Sequence, residues 1–192
     1  MVAVEVDLPL GHVASVSAEP IAAAGECALV VAARNGDRAA FGELYGRYGR
    51  MVHGILLARV PRHDVDDLVH DVFLQALKRL ASLRQPESFG PWLAAITRNR
   101  AMDYHRRGQD TCELPADVPG AAHPQAEAVA VLSLIRGLPE AYRETLVLRL
   151  VEGLTGPEIA ARTGLTPGSV RVNLHRGMQM LRERLSVGAR RT

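Results

Sequence analysis

Glu158-Ile159-Ala160-Ala161-Arg162-Thr163-Gly164-Leu165-Thr166-Pro167-Gly168-Ser169-Val170 is the stretch on which the fold turns. Its pattern is that of two helices meeting at a tight corner, a helix-turn-helix. Ala160 is small where the helices must approach closely, and Gly164 can take the left-handed conformation that ends the first of them. Ile159, Leu165 and Val170 are expected to share the core of the corner. Thr166 stands where it can cap the second helix, whose N-terminus would face phosphates. Further along, Val170, Leu174, Met178, Leu181 and Leu185 mark the packing stripe of a helix from about Pro167 to Leu185. Arg171, Val172, His175, Arg176 and Gln179 fall on its other side, with Thr166 and Ser169 ahead of them. That is the half of a recognition helix that reads base edges in the major groove. Arg171 and Arg176 suit guanine or phosphate, and His175 and Val172 a base or apolar contact. A solvated basic face on a structural helix is the plainer alternative; the Ala-Gly-Val pattern ahead of this face favours DNA.

Upstream of the corner, periodicity places helices from about Gln125 to Arg136 and from Pro139 to Glu152, ending at Gly153. Residues 108–124 are rich in Gly, Pro, Ala and Asp with little periodicity, the composition of an interdomain linker. A first block precedes them. Its helical pattern begins near Cys27, pauses at Asn35-Gly36-Asp37 with Asp37 as an N-cap, and resumes with Phe41, Leu44, Tyr45, Tyr48, Val52, Ile55 and Leu56. Asp64 can cap the next helix, whose stripe is Val65, Leu68, Val69, Val72, Phe73, Ala76, Leu77 and Leu80. A fourth helix runs from about Phe89 or Pro91 to Arg106. No segment alternates like a strand. The expectation is all-α: two small helical domains, 25–107 and 125–186, joined by a flexible linker, with the helix-turn-helix in the second. Residues 1–24 are expected to be a flexible acidic extension and 187–192 a basic tail.

Composition fits this plan. With 192 residues, 47% hydrophobic, 23% charged and 4% aromatic, the chain can form one ordinary domain or two small ones, helical rather than β. Charge is segregated. Residues 1–28 hold Glu5, Asp7, Glu19 and Glu26 and no Lys or Arg, whereas residues 157–192 hold seven Arg against Glu158 and Glu183. A basic end implies a polyanionic partner, nucleic acid first among them. The acidic extension could shield the basic surfaces; a solvated tail is the alternative. No apolar run reaches the roughly 18–20 residues of a membrane span, and the N-terminus lacks a signal-peptide pattern, so a cytoplasmic protein is expected. Cys27 and Cys112 form no C-x-x-C pair and read as free thiols. No nucleophile–base pair, phosphate loop or complete metal set stands out, so neither an enzyme nor a cofactor is expected.

On the helix from Asp64 to Leu80, Asp64, Asp67, His70 and Asp71 lie opposite the apolar stripe. Such a face repels DNA and suits a basic protein partner. Asp67, His70 and Asp71 could instead ligate a metal, though nothing else in the chain completes that site. Asp64, Asp66 and Asp67 could also simply favour the positive end of a helix. The fourth helix differs: Arg98, Asn99, Arg100, Asp103, Arg106 and Arg107 make a cationic face carrying an amide, which suits unstacked bases. Trp92 reads as core.

In order, Asp64-Val65-Asp66-Asp67-Leu68-Val69-His70-Asp71-Val72-Phe73, then Trp92-Leu93-x-x-Ile96-x-x-Asn99, then the helix-turn-helix resemble the extracytoplasmic-function (ECF) family of bacterial RNA polymerase sigma factors. The resemblance covers about residues 27–107 and 125–186. It implies a sigma domain 2, a linker and a sigma domain 4, which together direct core RNA polymerase to promoters and melt them. Carried over by position, Asp64, Asp67, Leu68, His70, Asp71 and Phe73 would bind the β′ clamp helices of core polymerase, with the β flap as a further contact. The loop of about Leu83–Pro91 and Asn99 would hold a flipped base of the minus-ten element. Arg98, Arg100, Asp103, Arg106 and Arg107 would read or position that element, and Thr166, Ser169, Arg171, Val172, His175 and Arg176 would contact the minus-thirty-five element. An anti-sigma factor is an implied partner. His70 departs from the family's usual Gln, and Gly90-Pro91 is unusual just ahead of Trp92. The rival is a stand-alone helix-turn-helix regulator.

Overall fold

The computed structural model describes the backbone of residues 19–109 and 124–189 and the side chains of residues 25–107 and 128–186. Within them the chain is helical, without a strand: α1 (Glu19–Arg34), α2 (Arg38–Leu57), α3 (Val65–Arg79), α4 (Phe89–Gln109), α5 (Pro124–Arg136), α6 (Glu140–Leu150), α7 (Gly156–Thr163) and α8 (Pro167–Ala189). Single 3-10 turns at Arg62–Asp64, Leu80–Ser82 and Pro86–Ser88 join α2 to α3 and α3 to α4. The all-α expectation holds. Residues 1–18, 110–123 and 190–192 lie outside the described residues, so most of the extension and of the linker and half of the tail do too.

Helix α1 starts earlier than periodicity indicates. It takes up Glu19–Ala24, expected to belong to the extension, because Pro20 fits a first helical turn and Ala22-Ala23-Ala24 have the highest helix propensity. Asn35-Gly36-Asp37 then turns the chain, Gly36 adopting φ +96°. Asp37 caps α2 as expected, accepting from the N–H of Ala39 (2.8 Å) and Ala40 (3.1 Å). Helix α2 is central: α1, α3, α4, α6 and α7 all pack on it. Leu44, Met51, Val52, Ile55 and Leu56 are fully buried there. Each such side chain contributes roughly 1.5–3 kcal/mol on leaving water.

Asp64 does not cap α3 with its side chain. Its carboxylate instead accepts from the Tyr104 hydroxyl of α4 (2.6 Å) and lies 3.1 Å from His63, pinning α3's start to α4. Along α3, Val65, Leu68, Val69, Val72, Phe73 and Ala76 are buried, but Leu77 is half exposed because it falls beside the line of Leu68, Val72 and Ala76.

In the second block the helix-turn-helix forms as the sequence indicates. Thr155 and Glu158 make a reciprocal capping box at the start of α7, Gly164 ends it at φ +77°, and Thr166 Oγ1 accepts the Ser169 N–H (3.1 Å) to cap α8. Ile159 and Val170 are buried in the corner and Leu165 is half-buried. Leu181 completes the stripe, with Leu174 and Met178 partly covered, whereas Leu185 projects into solvent one turn beyond the last packing neighbour in its row. Gly177 lets α8 lie closely on Leu146 and Tyr142 of α6.

The two blocks share one contiguous apolar core that runs from α1–α4 into Ile135, Leu138, Leu146, Leu148 and Ile159. Glycine permits the closest approaches. A Cβ at Gly54 would sit 2.7 Å from Glu152 Cγ and 2.8 Å from Leu148, and one at Gly90 3.0 Å from the Arg162 carbonyl. Pro91, in turn, packs against Gly164. The Gly90-Pro91 pair ahead of Trp92 thus seats α4 against the turn of the helix-turn-helix.

Thr155→Ala is expected to lower global stability by about 1 kcal/mol. Denaturant midpoints measure the loss, and hydrogen exchange should show it concentrated in α7; unchanged exchange there would contradict the capping account.

Candidate nucleic-acid interface

All six side chains expected to meet duplex DNA (Thr166, Ser169, Arg171, Val172, His175 and Arg176) are exposed on the first half of α8. Among the described residues, Arg171 and Arg176 make no ion pair or hydrogen bond, so both guanidinium groups are uncommitted. Val172 is 46% exposed, a large apolar side chain without core contact of its own. Thr166 and Ser169 also bond each other, Oγ to Oγ at 2.8 Å, which fixes the helix start that a phosphate would approach.

Helix α4 presents a second face. Ala95, Asn99, Met102 and Arg106 are exposed at helical spacing, one above another. Met102, at 62% the most exposed large apolar residue described, was not legible as a functional candidate, although an apolar side chain between Asn99 and Arg106 on a cationic helix is a signal. Such a residue can wedge against an unstacked base. The other cations of the set are engaged: Arg100 bonds Asp71 of α3 (2.7 Å), Arg106 bonds Asp103 (2.9 Å), and Arg98 turns away entirely. Arg107 is exposed near the end of α4. In the expected base-capturing loop, Leu83 and Phe89 are buried and Trp92 packs half-buried on Phe89.

The acidic face of α3 divides. Asp67, His70 and Asp71 are exposed, with Asp71 also holding Arg100, and Asp64 is turned to Tyr104. That bond, donated to the Asp64 carboxylate, pushes the Tyr104 hydroxyl up to about 12, with burial adding to it. Leu68 and Phe73 are core residues, 4% and 2% exposed, so they can shape this surface but not touch a partner. Exposed Leu74 and Leu77 extend the row of Asp67, His70 and Asp71 along the same helix face and give it an apolar half, although periodicity places Leu77 in the interior.

Arg98 belongs to a clasp between the blocks. It grips the 5%-exposed Glu144 of α6 with Nε (3.1 Å) and Nη2 (2.8 Å), while Arg59 Nη2 at the end of α2 reaches Glu144 (2.6 Å) and Glu140 (2.9 Å). Burial alone would push the Glu144 carboxyl up; the Arg98 bonds and the charges of Arg59 and Arg98 outweigh it and hold it below the ordinary range. Arg136 donates to the Leu57 and Val60 carbonyls (3.0 and 2.8 Å), closing the end of α2 from the other block. Arg162 donates to the Arg47 carbonyl (3.0 Å) and lies over the Tyr48 ring. His53 Nδ1 meets Glu152 at 2.6 Å, and that bond raises the imidazole above its ordinary 6.5 despite burial, with Asp66 adding to and Arg62 opposing the shift.

One helical chain thus carries an uncommitted cationic face on α8, an exposed Asn99–Met102–Arg106 face on α4 and an acidic face on α3. The family model for Sigma-70 region 2 matches residues 44–111, and that for Sigma-70 region 4 matches residues 128–181. The chain is 33% identical over 162 residues to RNA polymerase sigma factor CarQ of Myxococcus xanthus, covering 79% of this chain and 92% of that one. It is 30% identical over 177 residues to the ECF RNA polymerase sigma-E factor of Haemophilus influenzae, covering 82% and 94%. Among solved structures it is similar to CnrH in complex with the cytosolic domain of CnrY, with a TM-score of 0.63, 27% identity, and 85% and 98% of the two chains covered. The chain belongs to the ECF family of RNA polymerase sigma factors. It is a transcription initiation factor, and the stand-alone regulator is set aside.

The raised His53 value gives a signed pH dependence. The pair contributes fully below about pH 6.5 and its contribution is lost as pH rises through the raised folded value. The melting temperature of the wild type should therefore fall more between about pH 6 and about pH 8.5 than that of His53→Gln; parallel curves would contradict this. Glu144→Ala strands Arg59 and Arg98 and should cost about 3 kcal/mol in denaturant unfolding, against well under that for exposed Glu43→Ala.

Proposed function

We propose that α3 docks core RNA polymerase through Asp67, His70 and Asp71, with Asp64 and the buried Leu68 and Phe73 holding that surface in shape and Leu74 and Leu77 extending it. The partner surface would be the β′ clamp helices, with the β flap contacting the second block. In this proposal residues 25–107 act as sigma domain 2 and 125–186 as sigma domain 4. Helix α4 holds the melted minus-ten strand with Asn99, Met102, Asp103, Arg106 and Arg107. Helix α8 reads the minus-thirty-five duplex with Arg171, Val172, His175 and Arg176, its N-terminus and Thr166 and Ser169 meeting phosphate. Capture of an unstacked base offsets an unpairing cost of roughly a few kcal/mol. The chain contributes binding energy and no chemical step; RNA synthesis belongs to the polymerase in the cytoplasm.

The observation that carries this proposal is the uncommitted cationic face of α8 on the same chain as the exposed Asn99–Met102–Arg106 face of α4. The clasp bears on it as well. While Arg98 grips Glu144 it cannot serve DNA, and α4 is held to α6, so productive promoter binding involves release of that contact. CnrH is solved with a cytosolic polypeptide bound, which supports a protein partner for this chain too, in the role of an anti-sigma factor.

The test is run-off transcription with core polymerase on a promoter library. Asp67→Ala/Asp71→Ala is expected to lose core binding. Asn99→Ala and Met102→Ala should bind core yet open promoters poorly, by roughly tenfold or more for a lost stacking or amide contact. Arg171→Ala and Arg176→Ala should weaken duplex binding, each lowering the salt slope by about 1 where it contacts phosphate. Variants that all transcribe like the wild type would overturn these assignments.

A further inference from the structure

At the seam between the blocks lies a cavity of about 400 Å³, walled by Arg59, Arg62, His63, His105, Arg136 and Arg143. None of these residues belongs to the DNA-reading or polymerase-facing surfaces. The first four come from the first block and the last two from the second. Their commitments are unequal. Arg59 is neutralised by Glu140 and Glu144, His63 is paired with Asp64, and Arg136 binds the carbonyls that end α2. His105 contacts the Arg59 carbonyl through Nε2 (2.8 Å). The negative end of α2 is thereby covered from both sides. Arg62 and Arg143, in contrast, make no side-chain hydrogen bond or ion pair with any described residue. The Nε of Arg143 is the one buried side-chain nitrogen or oxygen among the described residues without a hydrogen-bond partner. Buried N–H donors are seldom left so, and a guanidinium carries its charge at any physiological pH.

The geometry points to a binding site for a small phosphorylated metabolite in this cavity, Arg62 and Arg143 closing on its phosphate oxygens from the two blocks. Guanidinium forks match tetrahedral oxyanions in shape and charge, and the cavity volume falls in the range of small-ligand sites. Asp64, Glu140 and Glu144 already have cationic partners, and neither Arg62 nor Arg143 pairs with a described carboxylate. Because Arg62 belongs to the turn ahead of α3 and Arg143 to α6, the bound anion bridges the blocks and holds the closed arrangement. Such a ligand therefore acts on the sigma factor without touching DNA or polymerase.

Calorimetric titration and thermal melting of the full chain test this with inorganic pyrophosphate and ATP, at fixed ionic strength, with sulfate as the charge control. No polymerase or promoter is present, so the result is independent of the functional assignments above. Expected are saturable one-to-one binding of pyrophosphate or ATP and a higher melting temperature. Arg62→Ala and Arg143→Ala should each weaken that binding by about tenfold or more, and Arg171→Ala/Arg176→Ala should leave it within about twofold. Arg62 is exposed, so its variant keeps the fold, which circular dichroism verifies. The proposal is overturned if sulfate stabilises as well as pyrophosphate and ATP. It is equally overturned if the Arg62 and Arg143 variants bind normally, or if binding disappears with Arg171 and Arg176. A single-stranded oligonucleotide that needs Arg62 and Arg143 while neither small anion binds would assign the cavity to nucleic-acid backbone and overturn it too.

Discussion

The carboxylate of Glu144, shut between Arg59 and Arg98, is the contact on which the arrangement of this protein depends. Isolated in an apolar interior it would be strongly disfavoured, and each arginine there would be too. Together they are tolerable, so the three must be placed at once, and they come from the turn just past α2, from α4 and from α6. Their placement fixes the distance between the blocks, and the glycine approaches at Gly54 and Gly90 become possible only at that distance. A buried ion pair is a weak source of net stability compared with apolar packing but a strict condition on geometry. Stability comes from the apolar core that runs through both blocks.

That economy separates holding from reading. Cations that hold the blocks together, Arg59, Arg98, Arg136 and Arg162, are all partnered. Arg171 and Arg176, on the exposed face of α8, have no partner among the described residues. Arg98 stands on the boundary, a residue of the cationic helix α4 used in the clasp. In the proposed function, closure of the blocks and the availability of Arg98 are therefore set by the same contact.

The helix-turn-helix was legible in the sequence because its determinants are local: a glycine that must take positive φ, a threonine cap, a small residue at the crossing. The acidic and cationic faces were legible because i, i+3 and i+4 spacing is all they need. Other features depend on distant partners. Nothing in periodicity shows that Arg98 meets Glu144, 46 residues away, or that Asp64 leaves its cap position for Tyr104, 40 residues away. Leu77 and Leu185 were assigned to the interior because an apolar residue near a stripe looks like part of it, while neighbouring helices decide its width. Met102 was passed over for the converse reason: an apolar residue on a polar helix reads as core until its exposure is seen. Gly90-Pro91, an oddity ahead of Trp92, became intelligible only when the turn at Gly164 was found against it.

The claim at the centre of this account is that the blocks are clasped in the free chain and part when the promoter is bound. Its most direct test is the distance between spin labels at Lys78→Cys on α3 and Gln179→Cys on α8, in a chain with Cys27→Ser and Cys112→Ser, measured free and then bound to core polymerase and promoter DNA. A single short distance in the free chain that lengthens in the complex is the predicted result. A distance that is the same in both states, or already long and broad in the free chain, would contradict it.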